Sequence, residues 1–96
     1  MEVILDGELM TDRPTVHDLL SEKLAFPEYY GRNLDALYDL LSTYPVQVNF
    51  VLIHENRLYQ NLGNYGKSLL RTLQDAAVFN SNVKFAILSE KNKNNS

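Results

Sequence analysis

The apolar positions of the chain fall into short runs separated by polar breaks, and the period of each run predicts an element. Val3, Ile4 and Leu5 close at the turn pair Asp6-Gly7, which reads as a first strand over 2–5. Val16, Leu19, Leu20 and Leu24 recur at helical spacing behind Pro14, a residue suited to the first helical turn. Thr15 and Asp18 are spaced as a capping box, so a helix is expected from Pro14 to about Ala25, where Pro27 ends the pattern. The segment PEYYGR, 27–32, reads as a loop, and Asn33 is a good N-cap for a helix over 34–42 that cannot continue through Pro45.

QVNFVLI, 47–53, is β-branched and apolar without clean alternation, which suits a central strand covered on both faces. A short helix over 55–62 is expected to stop at Gly63, and a longer one over 67–79 carries Leu69, Leu70, Leu73 and Ala77 on one face. The turn Asn80-Ser81-Asn82 leads into a last strand over 83–88, and the polar residues 90–96 read as a frayed tail. Strands separated by helices imply crossover connections and a parallel sheet. The expected fold is one small α/β domain over 1–89, a three-stranded parallel sheet packed with about four helices.

Composition narrows the chemistry. Ninety-six residues hold one core and leave no room for separate cofactor and substrate modules. The absence of cysteine excludes a disulfide framework, a zinc ribbon and a thiol enzyme, and His17 and His54 lie too far apart in sequence to suggest a histidine-built metal site. No cofactor and no metal are expected. The first ten residues lack the positive start of a secretory signal, and no apolar stretch reaches the ~18–20 residues of a membrane span, so a cytoplasmic protein without membrane association is expected.

The formal charge of −3 says little until it is divided. Residues 1–44 hold nine acids against three bases, whereas residues 45–96 hold three acids against six bases. An acidic half argues against direct nucleic-acid binding, which needs clustered Lys and Arg, and favours a basic protein partner.

One site breaks local rules. On the helix 34–42, Leu34, Leu37 and Leu41 form the apolar stripe, while Asp35, Asp39 and Ser42 fall to one side with Tyr38 at the margin. Asp35 and Asp39 are i,i+4 neighbours, a like-charge pair costing roughly 0.2–0.5 kcal/mol, and Asp39 lies too deep in the helix for the dipole to favour it. The preceding loop carries Tyr29, Tyr30 and Gly31. Tyrosines beside paired carboxylates on a rigid helix suit a protein-binding hot spot; they suit equally a solvated face with the tyrosines capping the core. Paired carboxylates also permit a small acid/base enzyme, which would need a flanked cleft and a general acid of raised pKa. GNYG, 63–66, is no phosphate loop. His17 reads as structural, and His54, following a strand, could face a cleft. Asp75 either pairs with Arg71 four residues before it or adds a third acidic contact.

LAFPEYYGRNLDALYDLL, Leu24 to Leu41, resembles the motif of the barstar family, intracellular inhibitors of secreted bacterial ribonucleases of the barnase type. VILDGE at Val3–Glu8, His17, Leu20 and FAILS at Phe85–Ser89 fall at matching places. The resemblance implies a non-enzymatic ribonuclease inhibitor that plugs the enzyme's active site with the second helix and its preceding loop. It implies that Asp39, supported by Asp35, stands in for a substrate phosphate among arginines and lysine, and that Tyr29 meets the catalytic histidine. Gly31 and Asn33 would allow close backbone approach, Asp75 would supply a further acidic contact, and Tyr30, Tyr38 and Ser42 complete the contact set. The dominant energetic role of that central aspartate is an established property of the family and does not follow from spacing. This chain departs from the family pattern at Tyr38, where tryptophan is usual, at Thr43, where Gly is, and at Asp75, where a longer Glu is. The cognate partner would be a barnase-type ribonuclease or a related toxin nuclease; a regulator of a non-nuclease partner is the alternative.

Overall fold

The computed structural model describes residues 1–88, so the tail expected over 90–96 lies outside the described residues. The elements are β1 (Glu2–Asp6), α1 (Arg13–Leu24), α2 (Leu34–Ser42), β2 (Val48–Ile53), α3 (Glu55–Leu62), α4 (Asn64–Phe79) and β3 (Val83–Ile87). The three strands form one parallel sheet in the order β1-β2-β3, the α/β architecture expected from the sequence.

That strand order decides where the helices go. Each connection steps the same way across the sheet, and right-handed crossovers taken twice in one direction put all the helices on one face. The register bears this out: Val3, Phe50 and Phe85 align across the sheet, as do Leu5, Leu52 and Ile87. Val3, Leu5, Val48, Phe50, Leu52 and Val83 are buried against Val16, Leu20 and Leu24 of α1, Leu37 and Leu41 of α2, Leu58 of α3, and Leu69, Leu70 and Leu73 of α4. Glu2, Ile4, Asn49, Lys84 and Ala86 point to the opposite, open face. β2 is therefore central but covered on one side only, which corrects the expectation of burial on both. Its apolar run without clean alternation concealed a period of two, visible in the structure as Val48, Phe50 and Leu52 inward and Asn49 outward.

Two helix starts also differ. Asp12, rather than a Thr15–Asp18 box, caps α1: its carboxylate accepts from Thr15 N–H at 2.9 Å, and Pro14 sits in the first turn. This bond, with that from the Thr15 side chain, holds the Asp12 carboxyl below the usual carboxylate range. α4 begins at Asn64, three residues before the expected Lys67, because Gly63 at φ 59° ends α3 and opens α4 in one turn. α3 and α4 then cross closely at the buried Gly66, where a Cβ would lie 3.3 Å from Leu58 O.

Gly7 is a tighter constraint. It follows β1, donates its N–H to Ile53 O at 2.9 Å and accepts from Asn61 Nδ2 at 3.1 Å, which ties the end of β1 to β2 and α3. A Cβ there would stand 2.1 Å from His54 O and 2.9 Å from Leu58 N, both backbone atoms that cannot step aside. Gly7→Ala is expected to destabilise the fold by about 1–3 kcal/mol, the usual cost of overpacking, read as a lower midpoint in urea denaturation.

Candidate functional site

The loop between α1 and α2 turns at Pro27, with Tyr30 N–H donating to Pro27 O at 3.0 Å, and its two tyrosines then point opposite ways. Tyr29 is 84% exposed, whereas Tyr30 is 6% exposed, its ring tilted against Phe26 at a centroid distance of 4.8 Å. Tyr30, expected among the contact residues, is thus a core residue whose hydroxyl is already engaged. The turn sends the Tyr30 ring into the core beside Phe26 and leaves the Tyr29 ring in solvent.

What holds Tyr30 is His17. This buried histidine of α1, 1% exposed, bonds the Tyr30 hydroxyl through Nδ1 at 2.6 Å and the Tyr65 hydroxyl of α4 through Nε2 at 2.7 Å. A neutral imidazole has one donor and one acceptor nitrogen, so one hydroxyl accepts from it and the other donates to it, and every polar atom of the bridge is satisfied. Burial, with the nearby Arg32 charge adding to it and Asp18 opposing, lowers the His17 pKa below its ordinary value. Burial raises the Tyr30 hydroxyl to about 12. Arg13 lies over the Tyr65 ring at 4.3 Å and covers the far side of the bridge.

The loop's other end is fixed by Arg32, at φ 57°, in the left-handed region that costs a non-glycine residue. Its guanidinium reaches Asp18 of α1 and Pro14 O, the latter at 3.2 Å. Asn33 caps α2 as expected, accepting from Ala36 N–H at 2.7 Å and donating through Nδ2 to Gly31 O at 3.3 Å. Its side chain is therefore spent on shaping the junction. A Cβ on Gly31 would meet Ala36 Cβ at 3.2 Å, so the bare backbone is what lets the loop lie against the helix.

Between this loop and α2 is a shallow pocket of about 180 Å³ lined by Tyr29, Tyr30, Gly31, Ala36, Asp39 and Leu40. Asp39 stands exposed at its rim; Asp35, one turn earlier, is exposed outside it. The two carboxylates share a helix surface and do not flank a cleft, the arrangement that general acid/base work would need. Ser42, the next residue on that side, donates its hydroxyl to Asp39 O at 3.0 Å and so is turned back on its own helix. Tyr38 is half-buried at the margin, its ring 6.4 Å from that of Phe79 at the end of α4. Asp75 is exposed one turn before Phe79, which places it on the side of α4 that flanks α2. Among the ion pairs of the described residues there is none between Arg71 and Asp75.

The comparisons with known proteins agree with this frame. Residues 1–90 match the family described as "Barstar (barnase inhibitor)". The chain belongs to the barstar family. A Bacillus subtilis (strain 168) protein named "Putative ribonuclease inhibitor YrdF" is 40% identical over 77 residues, which span 78% of this chain and 84% of YrdF. Membership fits the barstar-like sheet and helices described above, and no described helix is long and apolar enough to cross a membrane.

A second cluster lies away from the loop. Asp6, Glu8 and His54 bring ligand-type atoms within 4.8 Å of one another, the one place among the described residues where a metal could be held by three such side chains. His54 Nδ1 donates to Asp6 Oδ1 at 2.7 Å, Glu8 N–H donates to the same oxygen at 2.9 Å, and Arg57 sits 3.8 Å from Glu8. Partial burial works against the Asp6 charge, but these hydrogen bonds overcome it and hold its pKa below the ordinary value. His54, at φ 56°, stands at the N-terminus of α3, where the helix dipole opposes a cation. Through these hydrogen bonds and the Glu8–Arg57 pair the cluster joins β1 to the β2–α3 turn.

The bridge through His17 was not legible in the sequence, since nothing in its spacing identifies Tyr30 or Tyr65 as partners. It makes stability pH-dependent. A histidine whose folded-state pKa is lowered stabilises the fold fully above its unfolded value of 6.5, and that stability is lost as pH falls toward the folded value. Melting temperature is expected to drop between pH 7 and 5, and a Tyr30→Phe variant, which leaves a ring nitrogen of buried His17 without its partner, to cost about 1–3 kcal/mol at pH 7.

Proposed function

We propose that this protein is a ribonuclease inhibitor that occludes the active site of a basic, barnase-type ribonuclease with the loop and helix from Tyr29 to Asp39, and that it has no catalytic activity of its own. The observation that carries the reading is Asp39 itself, an exposed carboxylate at the rim of the Tyr29–Gly31 pocket on a helix whose approach is fixed at both ends. Family membership and the name of YrdF point to the same class of partner.

The physical case is one of complementarity. Asp39 and Asp35 repel each other in the free protein and gain only when cations are brought to them. A substrate phosphate in a ribonuclease is met by such cations, and a carboxylate offers them the same acceptor geometry. Tyr29 adds a large, rigid, exposed ring beside the acid at low entropic cost. Gly31 lets the partner approach the backbone, Asn33 keeps that backbone in shape, and Asp75 adds charge from α4. The acidic face accelerates encounter with a basic enzyme, an effect that salt screens.

Calorimetric titration against a barnase-type ribonuclease tests this directly. Wild type is expected to bind and to suppress RNA cleavage, and Asp39→Ala to lose at least ~2 kcal/mol, about 30-fold in Kd. Absence of binding at micromolar concentrations contradicts the ribonuclease partner; equal binding by both proteins contradicts the site.

A further inference from the structure

The C-terminal turn of α4 carries two large apolar side chains that the fold does not use. Val78 is 87% exposed and Phe79 is 68% exposed, yet both stand in a firmly held part of the molecule. The next residue, Asn80, donates through Nδ2 to Leu41 O at 2.8 Å and to Tyr44 O at 3.1 Å, and its N–H closes α4 on Ala76 O at 2.8 Å. Asn82 adds a further bond to Tyr44 O at 3.0 Å. The ends of α2 and α4 are thus stapled together by side-chain amides, and the two exposed side chains do not owe their position to a loose segment.

Phe79 is also continuous with the acidic face. Its ring meets that of Tyr38, the residue before Asp39, at 6.4 Å. Asp75 lies three residues before Val78 and four before Phe79, so on the helix surface both apolar side chains border that carboxylate. The surface therefore runs from Tyr29 and Asp39 across Tyr38 to Phe79, Val78 and Asp75. Exposed apolar groups rimmed by charge mark interaction sites more than they mark chance.

We propose that Tyr38, Val78 and Phe79 form an apolar lobe of the inhibitory surface, which receives an apolar side chain of the ribonuclease from beside its cationic active site; this rests on the ribonuclease reading above. The division of labour follows from the chemistry. The carboxylates steer the encounter and set its salt dependence, whereas the lobe slows dissociation by removing apolar surface from water without a charge. It also selects partners. A ribonuclease with the same cations but a charged or small residue opposite Phe79 leaves the lobe unfilled or buries an unpaired charge against it. Closing the lobe over Asp75 excludes water from that carboxylate and strengthens any pairing it makes.

The test compares wild type, Val78→Ala/Phe79→Ala and Asp39→Ala against a barnase-type ribonuclease by stopped-flow association and dissociation at several salt concentrations. The double variant is expected to keep the wild-type melting curve, association rate and salt slope, to dissociate about tenfold faster or more, and to bind with a less negative heat-capacity change. Asp39→Ala is expected to associate more slowly with a flatter salt slope. Wild-type dissociation by the double variant, with Asp39→Ala still impaired, overturns the lobe and leaves the inhibitor reading intact. Wild-type behaviour of Asp39→Ala overturns the inhibitor reading, and the lobe with it. A concentration-dependent dimer of the free protein that the double variant abolishes, with ribonuclease dissociation unchanged, assigns Val78 and Phe79 to a second copy of this chain and also overturns the proposal.

Discussion

One buried imidazole joins the three parts on which the acidic face depends. His17 belongs to α1, Tyr30 to the exposed loop and Tyr65 to the start of α4, and the two hydroxyls close on its two ring nitrogens at 2.6 and 2.7 Å. Because the group is buried, any opening of the loop would leave a polar atom unpaired in the core, which costs far more than a surface hydrogen bond gains. The loop is fixed before any partner arrives. On the proposed reading, association orders little that was mobile, and more of the gross contact energy remains as affinity.

The same economy governs α2. Its stability comes from Leu37 and Leu41 in the core and from the Asn33 cap, so its outer side is free to carry residues a helix does not favour. Asp35 and Asp39 exploit that freedom at a small cost. The one-sided sheet serves the arrangement too: with every helix on one face, α2 and α4 pack side by side and meet at Tyr38 and Phe79. The protein presents Asp35 and Asp39 exposed on the outer side of a helix anchored by its core leucines and its cap, with Asp39 at the rim of a shallow pocket.

Much of this was legible from the residues. α2 and α3 have the bounds that the Asn33 cap, Pro45 and Gly63 predict, and the α/β class followed from strands alternating with helices. The errors have two causes. Asp12 rather than Thr15 caps α1 and α4 starts early at Gly63, where a neighbouring residue takes the local role first; β2 is open on one face because the strand order puts every helix on the other. At the site, the exposure of Asp39 could be read from its place beside the apolar stripe of α2. The burial of Tyr30 could not, because nothing local distinguishes it from Tyr29. His17 and Arg32 likewise take partners 13 to 48 residues away, beyond any periodicity.

The central claim is occlusion, that Asp39 takes the place of a phosphate inside a ribonuclease. Competition with a nucleotide occupying that active site measures it most directly. Increasing concentrations of a mononucleotide that binds a barnase-type ribonuclease should raise the apparent Kd of the inhibitor in proportion and without limit, as mutually exclusive binding requires. A plateau, showing enzyme, nucleotide and this protein bound together, would contradict the account.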